Sequence, residues 1–271
     1  MQLNVHRQGQ GPRLLCLHGH PGSGRSMAVF TERLSEQFLT VAPDLRGYGE
    51  SRPTPTFEMA THLSDLEPLI QEACVVLGWS LGGILAIELA LRHPDQVRGL
   101  ILVATAARPR GSHPPITWQD NLYTGLAGML NWAFPAWPWN IETWGKRSLF
   151  RHLIQQHTAY AYRRLAREGV SAYLQTSSQA TQALNQALRQ GYNRLPELHR
   201  LSMPCLMLCG EQDRHITSAS SRETAHHIPD CELRCYPETA HLFPWEIPAQ
   251  MHQDIADWLV KKDLYPVGSA A

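Results

Sequence analysis

A serine hydroxyl is a poor nucleophile at neutral pH. It becomes a good one when a base lies within hydrogen-bond reach and a carboxylate orients that base. In this 271-residue chain Ser80, His241 and Asp213 are the side chains best placed for those three roles. Ser80 is the centre of Gly78-Trp79-Ser80-Leu81-Gly82, a Gly-x-Ser-x-Gly pattern. Cys74 to Trp79 before it is a short apolar run with the character of a strand. Leu81 to His93 after it reads as a helix stopped by Pro94, apolar on nearly every side and so expected to be buried. A sharp strand-to-helix turn pushes the serine hydroxyl outward. The residues two before and two after it then pack so closely that only very small side chains fit. The helix N-terminus points N–H groups at any oxyanion forming beside Ser80. A glycine-rich helix start with an incidental serine is the plainer alternative, and the strand-before, helix-after context weakens it.

The other reactive residues also follow strand-like runs. Gly210-Glu211-Gln212-Asp213 comes just past Cys205 to Cys209, and Thr239-Ala240-His241 just past Glu232 to Tyr236. His18-Gly19-His20-Pro21-Gly22 comes directly after Arg13 to Leu17. In a parallel sheet all these loops lie at the carboxyl edge, where open α/β sheets place their sites. A backbone N–H of the His18–Gly22 loop could be a second oxyanion donor, and His20 is preferred because Pro21 has no N–H. Fourteen histidines make any single one weak evidence. Position after a strand is what singles out His241.

The elements that must hold these loops alternate. Strands are expected near Leu3 to Val5, Arg13 to Leu17, Leu39 to Ala42, Cys74 to Trp79, Val97 to Ala104, Cys205 to Cys209 and Glu232 to Tyr236. Helices are expected at Met27 to Phe38, His62 to Ala73, Leu81 to His93, Ser218 to His227 and Ile247 to Lys261. The fold class is α/β: a mostly parallel, doubly wound sheet covered by helices. Between about Gly111 and Pro196 the alternation stops, and long helical patterns surround Leu149 to Glu168 and Ala180 to Arg189. The expected division is a core of residues 1–110 and 197–262, an inserted helical cap of residues 111–196, and a loose tail over 263–271.

At this point the chain resembles the α/β-hydrolase superfamily over nearly its whole length. The segments that carry the resemblance are HGHPG at 18–22, DLRGYGES at 44–51, GWSLGG at 78–83, GEQD at 210–213 and TAHLFPWE at 239–246. The order Ser, Asp, His along the chain is the order that fold uses. The resemblance implies a Ser80–His241–Asp213 triad, with the N–H groups of His20 and Leu81 as the oxyanion hole. It also makes residues 111–196 the cap over the site. Members with aspartate at the nucleophile position are dehalogenases or epoxide hydrolases, and Ser80 argues against both. The implied activity is hydrolysis of a carboxylic ester through an acyl-enzyme, without cofactor or metal. A carbon–carbon hydrolase or lyase on the same triad and a slow-turnover ligand receptor are the alternatives.

Composition bounds the partners. The chain has 24 Lys plus Arg and 24 Asp plus Glu, and a zero net charge argues against nucleic acid as the main partner. Residues 111–200, however, hold nine basic and four acidic residues. Arg147 with Arg151, and Arg163 with Arg167, stand four apart, a spacing that makes basic stripes on a helix. Such stripes are usually solvated faces. They could also dock an acidic carrier, as the similar Gly-Trp-Ser-Leu-Gly-Gly elbow of the methyl-ester esterase of biotin synthesis implies. The five tryptophans and neighbouring aromatic residues of the cap suggest an apolar or acyl small-molecule substrate. No run is long and apolar enough for a signal h-region or a membrane span, so the expected location is cytoplasmic. Oligomeric state is not legible.

Two other motifs are weaker. The Cys-x-x-x-Cys pairs, Cys205/Cys209 and Cys231/Cys235, fall in strands, where four residues cover about 13 Å, too far for two thiolates to share a zinc ion. Reduced, buried thiols are expected. Gly19 to Ser26 nearly matches a phosphate-binding P-loop, but Arg25 stands where the motif needs lysine and Pro21 removes a cradling N–H.

Overall fold

In the computed structural model, residues 1–52 and 55–265 are described. Seven strands form one sheet: β1 (Val5–Gln8), β2 (Arg13–Leu17), β3 (Leu39–Pro43), β4 (Cys74–Trp79), β5 (Val97–Val103), β6 (Cys205–Gly210) and β7 (Cys231–Tyr236). Their order across the sheet is β1-β3-β2-β4-β5-β6-β7, with β1 antiparallel to β3 and every other pair parallel. After β3 the chain crosses back over β2 to place β4 on its other side. The topological switch point therefore lies between β2 and β4, and their carboxyl ends open the crevice that such folds use for ligands.

Strand alternation explains the two buried layers. Leu15, Leu17, Val76, Leu100, Leu102 and Met207 face one side of the sheet. Leu14, Cys16, Val75, Leu77, Ile101, Val103, Leu206 and Leu208 face the other. A period of two sends successive side chains to opposite faces, and both faces are apolar because both are covered. The helices α1 (Ala28–Leu34), α2 (Thr61–Leu66) and α3 (Leu81–Arg92) lie between the early strands. α1 stops short of the expected Phe38, and α2 passes at Glu67 into a 3₁₀ turn containing Pro68, whose missing N–H ends the ladder.

Between β5 and β6 lie α4 (Trp118–Ala133), α5 (Pro138–Thr143), α6 (Ala159–Arg164), α7 (Val170–Leu174) and α8 (Ser178–Arg189). After β6 come α9 (Ser218–His227), α10 (Phe243–Glu246) and α11 (Pro248–Lys261). The continuous helix expected around Leu149 to Glu168 is broken. Leu149–His152 is a 3₁₀ turn, Thr158 then caps α6 by accepting the Ala161 N–H, and a π turn follows over Leu165–Gly169. Arg147 and Arg151 consequently share no α-helical face. Arg151 instead bonds Asp120 at 2.6 Å. Of the expected loose tail, Leu264 is buried and the Tyr265 ring packs edge-on to Phe38, while residues 266–271 lie outside the described residues.

Arg164 ties the inserted helices to the core. Its guanidinium bonds Glu32 on α1 and Glu168 within the π turn, and Arg164 and Glu168 are both buried. Burial pushes the Glu168 carboxyl from 4.5 up to about 7, against the pull of Arg164. The folded state then binds this proton more tightly than the unfolded chain does. Stability therefore falls as pH rises between about 4.5 and 7, and is flat in this group above that. Glu168→Gln should remove that slope, a comparison made by thermal denaturation of both proteins at pH 5 and pH 8. The tight glycine turn has its own test. A Cβ on Gly82 would lie 2.0 Å from the Leu17 carbonyl oxygen. Gly82→Ala should cost about 3 kcal/mol or more, or abolish folding, because only backbone movement can relieve that clash.

Candidate active site

The chain passes from β4 into α3 through Ser80, whose φ of 55° and ψ of −116° are a strained conformation for a residue with a side chain. Two bonds hold it there. The Ser80 N–H donates to the Val103 carbonyl at 2.9 Å, and the Thr105 hydroxyl donates to the Ser80 carbonyl at 2.8 Å. Gly78 and Gly82 face each other so closely that a Cβ on Gly78 would sit 2.3 Å from the Gly82 oxygen. The neighbouring β2 loop comes nearly as near, since a Cβ on Gly19 would lie 3.1 Å from that of Ser80.

The structure brings the three separated residues into one line. The Ser80 Oγ is 3.2 Å from His241 Nε2, and His241 Nδ1 is 2.8 Å from Asp213 Oδ2. All three side chains are buried. A carboxylate only accepts, so Nδ1 carries the proton and Nε2 presents its lone pair to the Ser80 hydroxyl. The other Asp213 oxygen accepts the His215 and Ile216 N–H groups at 2.7 and 3.0 Å, which fixes the carboxylate's orientation. The loop bearing Asp213 is also tied to the loop bearing His241. The Gln212 N–H donates to the Thr239 carbonyl at 2.9 Å, and the Thr239 N–H donates to the Gln212 side chain at 3.1 Å.

His20 and Leu81 line the cleft beside Ser80. Leu81 is the first residue of α3, so its N–H is one of the four a helix leaves without an internal partner. The His20 ring is held by the Tyr48 hydroxyl, 2.9 Å from Nδ1. The loop between His18 and Gly22 is shaped by the buried His18, which accepts the Leu45 N–H at Nε2 and reaches the Gly19 carbonyl from Nδ1 at 2.7 Å. The resemblance of this region to a P-loop ends in the same place. The Gly24 N–H points at Asp44 Oδ1, 2.6 Å away, so an acidic side chain occupies the position a phosphate would need. Asp44 also accepts from Asn4 and from the Glu50 N–H, donors that outweigh its burial and hold its carboxyl low.

Ser80 opens onto two cavities. One, of about 240 Å³, has an apolar wall that includes Trp79, Leu149, Leu153, Leu242 and Trp245. The other, about 460 Å³, includes Arg108, Tyr192 and Asn193. His113 and His215 line both. The His215 ring sits edge-on to that of His241 at 4.7 Å and stacks on His113 at 6.1 Å. Burial lowers His215 to about 3 and His20 to about 4, so both rings are neutral near pH 7 and can donate or accept hydrogen bonds there. Among the described residues no group of three or more His, Cys, Asp and Glu side chains could hold a metal ion.

No motif or spacing in the sequence marks His113 or His152 as parts of this site, and Glu246 stands out there only as the last residue of TAHLFPWE. Glu246 accepts the Ala240 N–H on one oxygen and the Gln155 and Gln156 N–H groups on the other. One buried carboxylate thus joins the loop bearing His241 to the inserted helices. Burial raises its carboxyl despite those three donors. His215 had a signal: it lies two residues past Asp213 on the same loop. The cysteines hold a second surprise. Cys209 and Cys235 face each other across β6 and β7 with 2.9 Å between sulfurs, a pairing that spacing within either strand does not reveal. All six thiols are free.

The family model for the α/β-hydrolase fold matches residues 12–248. The chain belongs to the α/β-hydrolase family. Among curated proteins, this α/β-hydrolase is 29% identical over 245 residues to a pimeloyl-[acyl-carrier protein] methyl ester esterase of Chromobacterium violaceum, covering 89% of this chain and 91% of that one. It is 28% identical over 253 residues to the biotin biosynthesis bifunctional protein BioHC of Cellvibrio japonicus, covering 91% of this chain but only 47%, about half, of that longer protein. Among solved structures, a thermophilic esterase from Thermogutta terrifontis superimposes with a TM-score of 0.72 at 25% identity, over 96% of this chain and 93% of that one. The fold read from the five motifs is therefore the fold found.

Replacing Glu246 with alanine strands three buried N–H donors, at about 1–3 kcal/mol each. Glu246→Ala should lower thermal stability by several kcal/mol, and Glu246→Gln, which keeps an acceptor, by clearly less; thermal unfolding of the two variants makes the comparison.

Proposed function

We propose that this α/β-hydrolase cleaves carboxylic esters, with Ser80 as nucleophile, His241 as base and Asp213 as the acid that orients it. The observation that carries the reading is the unbroken line from Ser80 Oγ through His241 to Asp213 at 3.2 and 2.8 Å. Ser80 Oγ attacks the ester carbonyl while His241 Nε2 takes its proton. The resulting oxyanion is held by the N–H groups of His20 and Leu81. His241 then returns the proton to the departing alcohol, leaving an acyl-Ser80 ester. Water, deprotonated by the same imidazole, releases the acid and restores Ser80. The apolar cavity suits the acyl chain, and the inserted helices act as the cap that shields it. The expected setting is cytoplasmic, and no helix among the described residues is long and apolar enough to cross a membrane.

A carrier-bound acyl ester is a second reading for the substrate. It is favoured by the named activity of the Chromobacterium violaceum relative and by the exposed Arg163 and Arg167. Arg151 is spent on Asp120, so the docking face, if used, centres on α6 and the π turn rather than on Arg147 and Arg151.

Fluorophosphonate should label the protein once, and Ser80→Ala should abolish labelling and lower kcat by at least about 10⁴-fold; persistent labelling overturns the assignment. Asp213→Asn should lower kcat by about 10⁴-fold with labelling slowed in parallel. Turnover of a p-nitrophenyl ester panel separates an esterase from a carbon–carbon hydrolase, which would turn over none. Stoichiometric labelling without multiple turnover of any ester would mark a slow receptor instead. For a carrier-bound methyl ester, R163E/R167E should raise KM and leave kcat alone, whereas unchanged KM removes the carrier reading.

A further inference from the structure

The outer face of α4 is inverted relative to an ordinary surface helix. Trp118, Leu122, Met129 and Trp132 recur at spacings of four, seven and three, which puts them on one stripe with Gly125. That stripe points to solvent. Trp118 is 72% exposed, Met129 69% and Trp132 68%. The aromatic surface continues past the helix with exposed Phe134, Trp137 and Trp139, whose rings lie 5.0–5.8 Å apart in sequence order.

Charge is missing from the same surface. From Gly111 to Ile141 the sole charged residue is Asp120, and it is buried and paired with Arg151. Cations stand at the rim instead. Lys146 and Arg147 are exposed in the turn that packs against α4 and α5, where the Trp144 ring rests 5.5 Å from Tyr123 on α4; Lys146 also bonds the exposed Glu142 at 2.6 Å, so this part of the rim carries one net positive charge, with Arg147 outside that pair. On the other flank the patch runs into the active site, because the exposed Ile116 also lines the apolar cavity beside Ser80.

We propose that this face docks the enzyme on an anionic lipid surface, with α4 lying along the membrane and the Ser80 cavity opening toward it. Tryptophan-rich apolar stripes with basic rims are the signature of interfacial helices. Their rings sit at the level of the lipid headgroups and their cations pair with anionic lipids. A contiguous apolar patch with a polar rim on an otherwise soluble fold marks an interaction site. A second copy of this chain is the rival occupant, and light scattering separates it from a lipid surface. An acidic carrier fits less well, since the stripe itself presents no cation.

The test is flotation of the full protein with vesicles of phosphatidylglycerol and phosphatidylcholine against vesicles of phosphatidylcholine alone, without any turnover in the readout. Wild type should float with the anionic vesicles, with a blue shift of tryptophan emission. W118S/W132S should lose at least about tenfold in vesicle affinity. K146E/R147E should lose about tenfold on anionic vesicles, and added salt should abolish the difference. Both tryptophans lie outside the two cavities, so circular dichroism and turnover of a soluble p-nitrophenyl ester should be unchanged and report folding. No flotation of wild type, equal flotation of W118S/W132S, or equal binding to both vesicle types overturns the proposal. So does a wild-type dimer by light scattering that W118S/W132S dissolves. A failed Ser80 assignment would leave the flotation, emission, circular dichroism and light-scattering results untouched.

Discussion

Everything at the carboxyl edge of the sheet depends on one backbone reversal at Ser80. The chain turns from β4 into α3 within a single residue held at φ 55°. Such a conformation costs on the order of 1–3 kcal/mol, and it persists only where the surroundings over-determine it. Here they do. The Ser80 N–H and carbonyl are both bonded to the strand end of β5 and the loop after it. Gly78, Gly82 and Gly83 then let β2, α3 and Thr105 approach closer than any Cβ would permit. The same contacts that strain Ser80 set the distance from β4 to the β2 loop, and so place His20 and Leu81 beside its hydroxyl.

Three buried carboxylates do comparable work on loops that have no ladder of their own. Asp44 accepts the N–H groups of Gly24 and Glu50, Asp213 those of His215 and Ile216, and Glu246 those of Ala240, Gln155 and Gln156. Each gathers backbone donors that would otherwise be buried unpaired, which is expensive. Each also fixes a different part of the site: the loop after β2, the loop of Asp213 itself, and the loop bearing His241. Asp213 therefore has two functions in one side chain, since the oxygen not bonded to His241 anchors its own loop. Glu246 carries the arrangement outward, because Gln155 and Gln156 of the inserted segment bond the same carboxylate as the loop bearing His241.

The inserted helices answer to different constraints. Their inner residues, among them Ala127, Phe150, Ile154 and Tyr162, join the buried layer on the α1 side of the sheet, and α8 joins the layer on the α3 side. Arg164 adds an ionic tie to α1. The tryptophan stripe of α4 belongs to neither buried layer, and the exposed Ile116 just before it also lines the apolar cavity.

The chain's linear order was enough to indicate a mostly parallel sheet covered by helices and the helix after Ser80, and to single out Ser80, Asp213 and His241 as residues that meet at one edge. Alternating apolar residues specify a buried strand, glycine spacing specifies a close turn, and reactive residues that each follow a strand must meet at one edge. These are local signals, readable within a few residues. Tertiary structure alone decided the rest. His113, His152 and His215 are three of fourteen histidines until folding lines them along the cavity. Asp44 begins one of the quoted segments and Glu246 ends another, but their part in gathering distant N–H groups shows only in the fold. Cys209 and Cys235 are 26 residues apart and become neighbours only through the register of β6 and β7. Arg147 and Arg151 have helical spacing but no helix, because Ser148 and Thr158 cap new turns within the segment. Contacts between segments far apart in the chain depend on loop closure and packing rather than on local pattern, and no spacing rule encodes them.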